Sequence, residues 1–176
     1  LVDGNHDAEA RDQISRFAGL MRGILNNSRR ESIPLADELK TLGDYLRMEQ
    51  FCQPFSFTFT LHPPPGQDAE EISLPPMLLQ PFVENAVLHG LSGKEGGGHI
   101  DVTFSVRGRR MQCEVIDNGI GRKAAAQRRK ARAPGHKSVA LDVTRARLAA
   151  IGGKLRIDDR PEGGTIVILT VPVETW

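Results

Sequence analysis

The sequence predicts an α/β fold of the α+β kind: a two-layer sandwich of a mixed, mostly antiparallel sheet covered by helices, preceded by a helical hairpin. Three observations predict it. Two amphipathic helices with a short polar link open the chain. Beyond residue 53, strand-like and helix-like stretches alternate. Two pairs of strands are separated only by short turns, which makes them hairpins and the sheet antiparallel or mixed.

The chain has 176 residues, 39% hydrophobic and 26% charged, which is ordinary for a soluble globular protein with room for one or two domains. We divide it into a hairpin at 1–53 and a larger domain at 54–176. No apolar run approaches the roughly 20 residues of a membrane span, and no charged-then-apolar leader opens the chain. The first residue is leucine, so we expect an excised piece, with any membrane segments upstream of it. Cys52 and Cys113 are far apart in apolar contexts, and we expect two buried thiols in a reducing compartment. The net charge of +1 conceals an asymmetry. Residues 122–137 hold seven basic residues and no acid, leaving 16 basic against 22 acidic residues elsewhere, a net of −6.

Taken in order, residues 8–28 form the first helix, with Ile14, Phe17, Ala18, Met21, Ile24 and Leu25 at helical spacing. Pro34 opens the second, with Asp37 and Glu38 in its first turn and Leu35, Leu39, Leu42 and Leu46 as a seam. Such a hairpin has too little core alone. It packs on its neighbour or pairs with a second copy as a four-helix bundle. Phe55, Phe57 and Phe59 alternate with polar residues as a strand, and a proline-rich loop follows.

Residues 74–91 read LPPMLLQPFVENAVLHGL. Leu78, Leu79, Phe82, Val83, Ala86 and Val87 make a buried helical face. Pro75 and Pro76 suit a first turn, and Gly90 suits a left-handed end. Asn85 and His89, four apart, stack on the polar side beside Glu84. Pro81 falls inside this expected helix, where it removes one backbone bond and kinks the first turns. A site explains these residues. So does a core helix with a wet edge.

A glycine-rich connector over 92–98 leads to two strands. The first carries Ile100, Val102, Phe104 and Val106; the second carries Met111, Cys113, Val115 and Asp117 on one face. Asp117 thus points inward after three apolar residues and needs a partner. Asn118-Gly119-Ile120-Gly121 follows as a tight turn. Val139, Val143, Ala146 and Ala150 then form a helical stripe widened by Leu141 and Leu148, capped by Gly152 and Gly153. A last hairpin pairs strands at 154–158 and 165–171 through Gly163 and Gly164.

Several chemistries are excluded. There is no GxxxxGK[ST] loop, no complete dinucleotide fingerprint, no zinc-ligand spacing among His6, His62, His89, His99 and His136, and no GxSxG elbow.

Three segments remain: Glu84-Asn85 on its helix, Asp117-Asn-Gly-Ile-Gly121, and Gly163-Gly164-Thr165. Each alone is a common turn or a helix edge. In this order they resemble the N, G1 and G3 boxes of the ATP-binding fold shared by gyrase, Hsp90, histidine kinases and MutL. Residues 74–91 are most similar to the PPxLLQPxVENAxxHG pattern of LytS-like sensor histidine kinases. Phe17-Ala-Gly-Leu-Met-Arg22, Ile33-Pro-Leu-Ala-Asp-Glu-Leu39 and Tyr45-Leu-Arg-Met-Glu49 resemble part of that family's dimerisation region. The resemblance spans essentially the whole chain.

The resemblance implies roles. Asn85 holds Mg²⁺ and, through it, the phosphates of ATP. Glu84, its catalytic companion, acts through a water or positions Asn85. His89 either reaches a phosphate or sugar oxygen or is a structural helix-end histidine. Asp117 accepts the adenine amino group, Gly119 and Gly121 make room for the base, and Thr165 adds a hydroxyl beside Gly163 and Gly164. The basic block becomes a flexible lid over the triphosphate; a solvated basic loop is its plainer reading. The block lacks interleaved aromatics, so no nucleic-acid partner is expected.

Departures are equally specific. The family's second glycine box resembles GxGLxN, yet Ala140 and Val143 replace its glycine and asparagine, leaving Lys137 and Ser138 to touch phosphate instead. Cys52 stands where the pattern has arginine. The phosphoacceptor histidine of the family lies in a segment resembling NPHFxxN, expected upstream; His6 lacks that context and is read as a surface residue. The implied whole is a bacterial inner-membrane sensor with this region cytoplasmic, homodimeric, passing phosphoryl groups to a response regulator. Two rivals are carried: a degenerate module that binds protein rather than nucleotide, and an ATPase that hydrolyses. Pro81 stands where hydrolysing relatives have a water-activating carboxylate, which argues against the second.

Overall fold

The computed structural model describes residues 3–132 and 139–175. Lys137 and Ser138, expected at the phosphates, lie outside the described residues, as does the side chain of His6. The elements are α1 (Asp3–Ser28), β1 (Ile33–Pro34), α2 (Leu35–Cys52), β2 (Phe57–His62), β3 (Ile72–Leu74), α3 (Gln80–Asn85), a π-helical segment (Ala86–Leu91), β4 (Gly98–Arg107), β5 (Arg110–Asp117), α4 (Gly121–Arg132), α5 (Val139–Ala150), β6 (Lys154–Asp159), β7 (Thr165–Pro172) and β8 (Glu174–Thr175).

The main sheet has the order β2-β4-β5-β7-β6. β2 and β4 are parallel and every other pair is antiparallel, so the sheet is mixed and mostly antiparallel, as the two hairpins require. Ile100, Val102 and Phe104 on β4, Met111, Cys113 and Val115 on β5, and Val167, Leu169 and Val171 on β7 are buried on one face. α2, α3, the π-helical segment and α5 complete the second layer over that core.

Several expectations need correction. Helical periodicity runs through Leu78 and Leu79, yet residues 75–79 form a turn and the helix begins only at Gln80. Pro81 therefore sits in the first helical turn, where its missing N–H goes unnoticed, instead of kinking an interior. Pro75 and Pro76, expected in the helix's first turn, precede it, and Leu74 before them ends strand β3, which bridges β1 and β8 in a small second sheet. Gly90 does not end the helix in a left-handed conformation; it lies within the π-helical segment.

The basic block, expected as a flexible loop, is helical over Gly121–Arg132. The inward face of α5 is Leu141, Thr144 and Leu148, whereas Val143 is exposed. α1 turns Leu20 inward with Ile24 beside it and leaves Ile14, Phe17, Met21 and Leu25 exposed. Cys113 is buried as expected, but Cys52 is exposed at the end of α2. No described helix is long and apolar enough to cross a membrane.

Candidate functional site

β5 builds the first wall of the site. Its alternation buries Met111, Cys113 and Val115 and carries Asp117 inward on the same face, 4% exposed. The carboxylate is satisfied locally. Its Oδ1 accepts the Gly119 N–H at 2.9 Å, and Thr165, its cross-strand partner on β7, donates from backbone and hydroxyl. Burial pushes the carboxyl above its ordinary range, while these donors and the nearby Arg160 guanidinium pull the other way. Arg160 also donates to the Asp117 carbonyl at 3.2 Å and pairs with Glu162.

Glycines let three backbones meet around this acid. A Cβ on Gly119 would lie 2.1 Å from the Gly90 carbonyl oxygen, and one on Gly164 would lie 2.0 Å from the Asp117 carbonyl oxygen. Ile120 donates its N–H to the Gly90 carbonyl at 2.9 Å, tying the π-helical segment to the turn after β5. Gly119, Gly163 and Gly164 thus act behind Asp117, packing the turn, and do not line the open space.

α3 and the π-helical segment build the opposite wall. Asn85 donates its side-chain N–H to the Pro81 carbonyl at 2.7 Å. That partner can only accept, so the amide's orientation is decided and its oxygen becomes the group it can present. The wider π-helical turn follows at once and carries His89 and Gly90. Such segments recur at functional sites because they re-aim side chains that an α-helix would point elsewhere.

Between the walls lies a cleft of about 480 Å³. Five expected residues meet there: Asn85, His89, Asp117, Gly121 and Thr165. Phe82, Ala86, Val115, Leu141, Ile157 and Val167 give it an apolar floor. Glu84 is not brought in. It is exposed and does not line the cleft.

Arg122, Lys123 and Asp159 line the cleft as well, and the motifs of the sequence do not single them out. The two cations are hidden in a block that reads as a loop. Their first-turn position on α4, directly after Gly121, is the signal that could have found them. Arg122 donates to the Ile157 carbonyl at 2.9 Å, and Lys123 is an exposed cation among the lining residues.

The donor set suits a hard cation shared with a ligand. Among the described residues no group of three or more His, Cys, Asp or Glu side chains could hold a metal alone. One amide oxygen at Asn85 fits Mg²⁺, which keeps most of its shell as water and phosphate oxygen.

Comparison with known proteins bears on the family and the fold. Residues 73–175 match the family described as histidine kinase-, DNA gyrase B-, and HSP90-like ATPase, and residues 1–54 match the histidine kinase family. Over 113 residues, 64% of this chain, it is 30% identical to sensor protein LytS of Staphylococcus epidermidis, and covers 19% of that protein. It is 31% identical over 168 residues to the putative uncharacterized protein YwpD of Bacillus subtilis, covering 93% of this chain and 59% of that one. The chain therefore spans about a fifth of the LytS relative's length.

Among solved structures, the histidine kinase domain of the Erythrobacter litoralis EL346 blue-light activated kinase shares the fold, with a TM-score of 0.59 at 17% identity. That match covers 91% of this chain and 74% of the other. The mycobacterial sensor histidine kinase MprB matches with a TM-score of 0.56 at 15% identity, over 83% and 99% of the two chains. A buried acid at a glycine turn, facing an asparagine helix across one cleft, and the match over more than half the sequence lead to one conclusion: this chain belongs to the histidine kinase-, DNA gyrase B- and HSP90-like ATPase family.

Proposed function

We propose that residues 54–176 are the ATP-binding catalytic region of a LytS-like sensor histidine kinase, and residues 1–53 part of its dimerisation hairpin. One observation carries the reading. A buried carboxylate with a fixed set of donors and an oriented amide oxygen face one apolar cleft of nucleotide size.

In this reading the Asp117 carboxylate accepts the adenine amino group while Thr165 keeps it aligned. Gly121 lines the space the base would enter, while Gly119, Gly163 and Gly164 let the turn behind Asp117 pack closely and so hold the acid in place. Asn85 presents its oxygen to Mg²⁺, which when bound neutralises phosphate charge. His89 lies one turn on, toward the phosphates or ribose, and Lys123 supplies positive charge at the mouth. Lys137 and Ser138 retain a phosphate role on the strength of the resemblance. Glu84, on the outer side of α3, acts only by positioning its neighbour Asn85.

Catalysis is positioning and charge neutralisation. The γ-phosphoryl passes to a histidine outside residues 1–176 and then to a response regulator. The exposed stripe of Ile14, Phe17, Met21 and Leu25 on α1 supports pairing with a second copy in the full-length protein. The parent is read as a membrane-anchored bacterial sensor with this region in the cytoplasm, as its resemblance to LytS proteins suggests.

Titration of Mg-ATP into the wild type and Asp117→Asn tests the assignment. Loss of a hydrogen bond to a charged group is worth about 1.5–3 kcal/mol, so affinity falls about tenfold or more. Equal affinities refute it.

A further inference from the structure

A second buried acid lies away from the cleft. Glu38 on α2 is 2% exposed, surrounded by the apolar core that includes Leu35, Leu42 and Leu78. Burying a carboxylate there is unfavourable unless its oxygens are used. They are. Oε2 accepts the Met77 N–H at 3.1 Å, and Oε1 accepts the Leu79 N–H at a longer 3.5 Å. Arg147 on α5, whose charge is also felt by Glu38, donates to the Pro76 carbonyl at 2.8 Å. Two elements, α2 and α5, thus meet on one turn, residues 76–79.

That turn is under constraint. Met77 has φ +58, the only non-glycine residue with a positive φ among those described. Such a conformation persists only where the surroundings hold it. The turn runs directly into α3, where Phe82 and Val83 donate their N–H groups back to the Leu79 carbonyl. Six residues after Leu79, at the end of α3, stands Asn85. The Leu79 carbonyl is thus bonded into the first turn of α3, the path by which a shift of Leu79 would reach Asn85.

We propose that Glu38 is a positioning residue: its carboxylate latches the hairpin helix α2 onto the strained 76–79 turn and thereby sets where Asn85 presents its oxygen in the cleft. Any displacement of α2 along its axis changes the grip on Met77 and Leu79 and, through α3, the affinity for the magnesium-bound phosphates. Asp117 and the purine side of the cleft are held chiefly by β5 and β7, and meet this linkage only at its far end, through the Ile120 N–H to Gly90 carbonyl bond. The inference rests on the nucleotide reading above for its functional consequence, but the latch itself is independent of it.

The test compares wild type, Glu38→Gln and Arg147→Ala in the same chain. Glutamine keeps the shape but turns an N–H₂ toward one of the two backbone donors. Arg147→Ala attacks the same turn without placing a new polar group in the core, and serves should Glu38→Gln fail to fold. Calorimetric titration with Mg-ATP and with adenosine reads the two sides of the cleft, and amide hydrogen exchange reads the helix directly. The expected result is about a tenfold loss of Mg-ATP affinity, adenosine affinity within about twofold of wild type, and faster exchange at residues 80–90 with β4 and β5 unchanged. Unchanged Mg-ATP affinity, or an equal loss for adenosine, overturns the proposal. Should wild type bind neither ligand, the nucleotide reading falls. The exchange arm then decides the latch alone: faster exchange confined to residues 80–90 supports it, and unchanged exchange refutes it.

Discussion

Gly90→Ala perturbs Asp117 through a single added methyl. Gly90 is buried in the π-helical segment and has no left-handed φ, so alanine meets no backbone strain there. Its added methyl meets the acid instead, at 2.8 Å from Asp117 Oδ1, 3.0 Å from Cγ and 3.3 Å from Oδ2. Ordinary contact requires roughly half an ångström more on the near oxygen. The carboxylate must rotate or retreat, and the 2.9 Å bond from the Gly119 N–H to that oxygen lengthens. Alanine gains up to about 1 kcal/mol of helical preference over glycine, which offsets much of the disturbed bond, so stability stays close to wild type. Purine recognition does not stay close. Misaligning one charged hydrogen bond is worth about 1.5–3 kcal/mol, or about tenfold to a hundredfold in Kd for Mg-ATP. Calorimetry with Mg-ATP, and with Mg-tripolyphosphate as a ligand lacking the base, separates the two ends of the cleft. The reasoning is refuted if Mg-ATP binds as tightly as to wild type, or if tripolyphosphate loses as much as ATP.

Other expectations follow from the same geometry. Lys123→Ala removes an exposed cation at the mouth, so Mg-ATP affinity falls about threefold to tenfold at low salt and adenosine affinity does not change, as parallel titrations report. Gly164→Ala forces a Cβ to 2.0 Å from the Asp117 carbonyl oxygen at φ +94, and urea unfolding records a loss of about 3–4 kcal/mol or no folded protein. Burial raises the Glu38 and Asp117 carboxyls above their ordinary values of 4.5 and 3.8, so the folded state binds more protons than the unfolded chain above those values. Their contribution to stability is therefore greatest below about pH 4 and is lost as pH rises through the raised folded values. Urea unfolding between about pH 4 and pH 7 detects this as a slope that Asp117→Asn or Glu38→Gln reduces. Arg147 near Glu38 and Arg160 near Asp117 limit the shifts, and exposed Glu162, held low by Arg160, acts in the opposite sense.

The main sheet is legible in the sequence because its strands alternate cleanly. Ile100, Val102 and Phe104 and then Met111, Cys113 and Val115 announce one buried face, and the same alternation continued by two residues puts Asp117 in the interior. The small sheet is not legible. β1, β3 and β8 are two or three residues long, too short for any period, and they exist because distant segments meet. Residues 78 and 79 carry a helical pattern while sitting in a turn, because the turn is held by Glu38, 39 or more residues earlier in the chain. A propensity argument cannot see that bond. The apolar stripe of α5 points to the wrong face because the inward position is Thr144, a polar residue among leucines.

Within the site, Asn85, His89, Asp117 and Thr165 are found because three individually common segments, taken in order, resemble the boxes of one ATP-binding fold. Lys123 cannot be separated from six other basic residues in its block. Gly90 reads as a helix end because glycine near a helix terminus usually is one. Its actual task, leaving room for a carboxylate from another strand, depends on tertiary packing.

A crystal structure of this chain with Mg²⁺ and a non-hydrolysable ATP analogue tests the central claim most directly. The adenine amino group is expected within hydrogen-bond distance of the Asp117 carboxylate, with the Asn85 side-chain oxygen directed at the metal on the phosphates. An analogue seated outside this cleft, or an adenine turned away from Asp117, contradicts it.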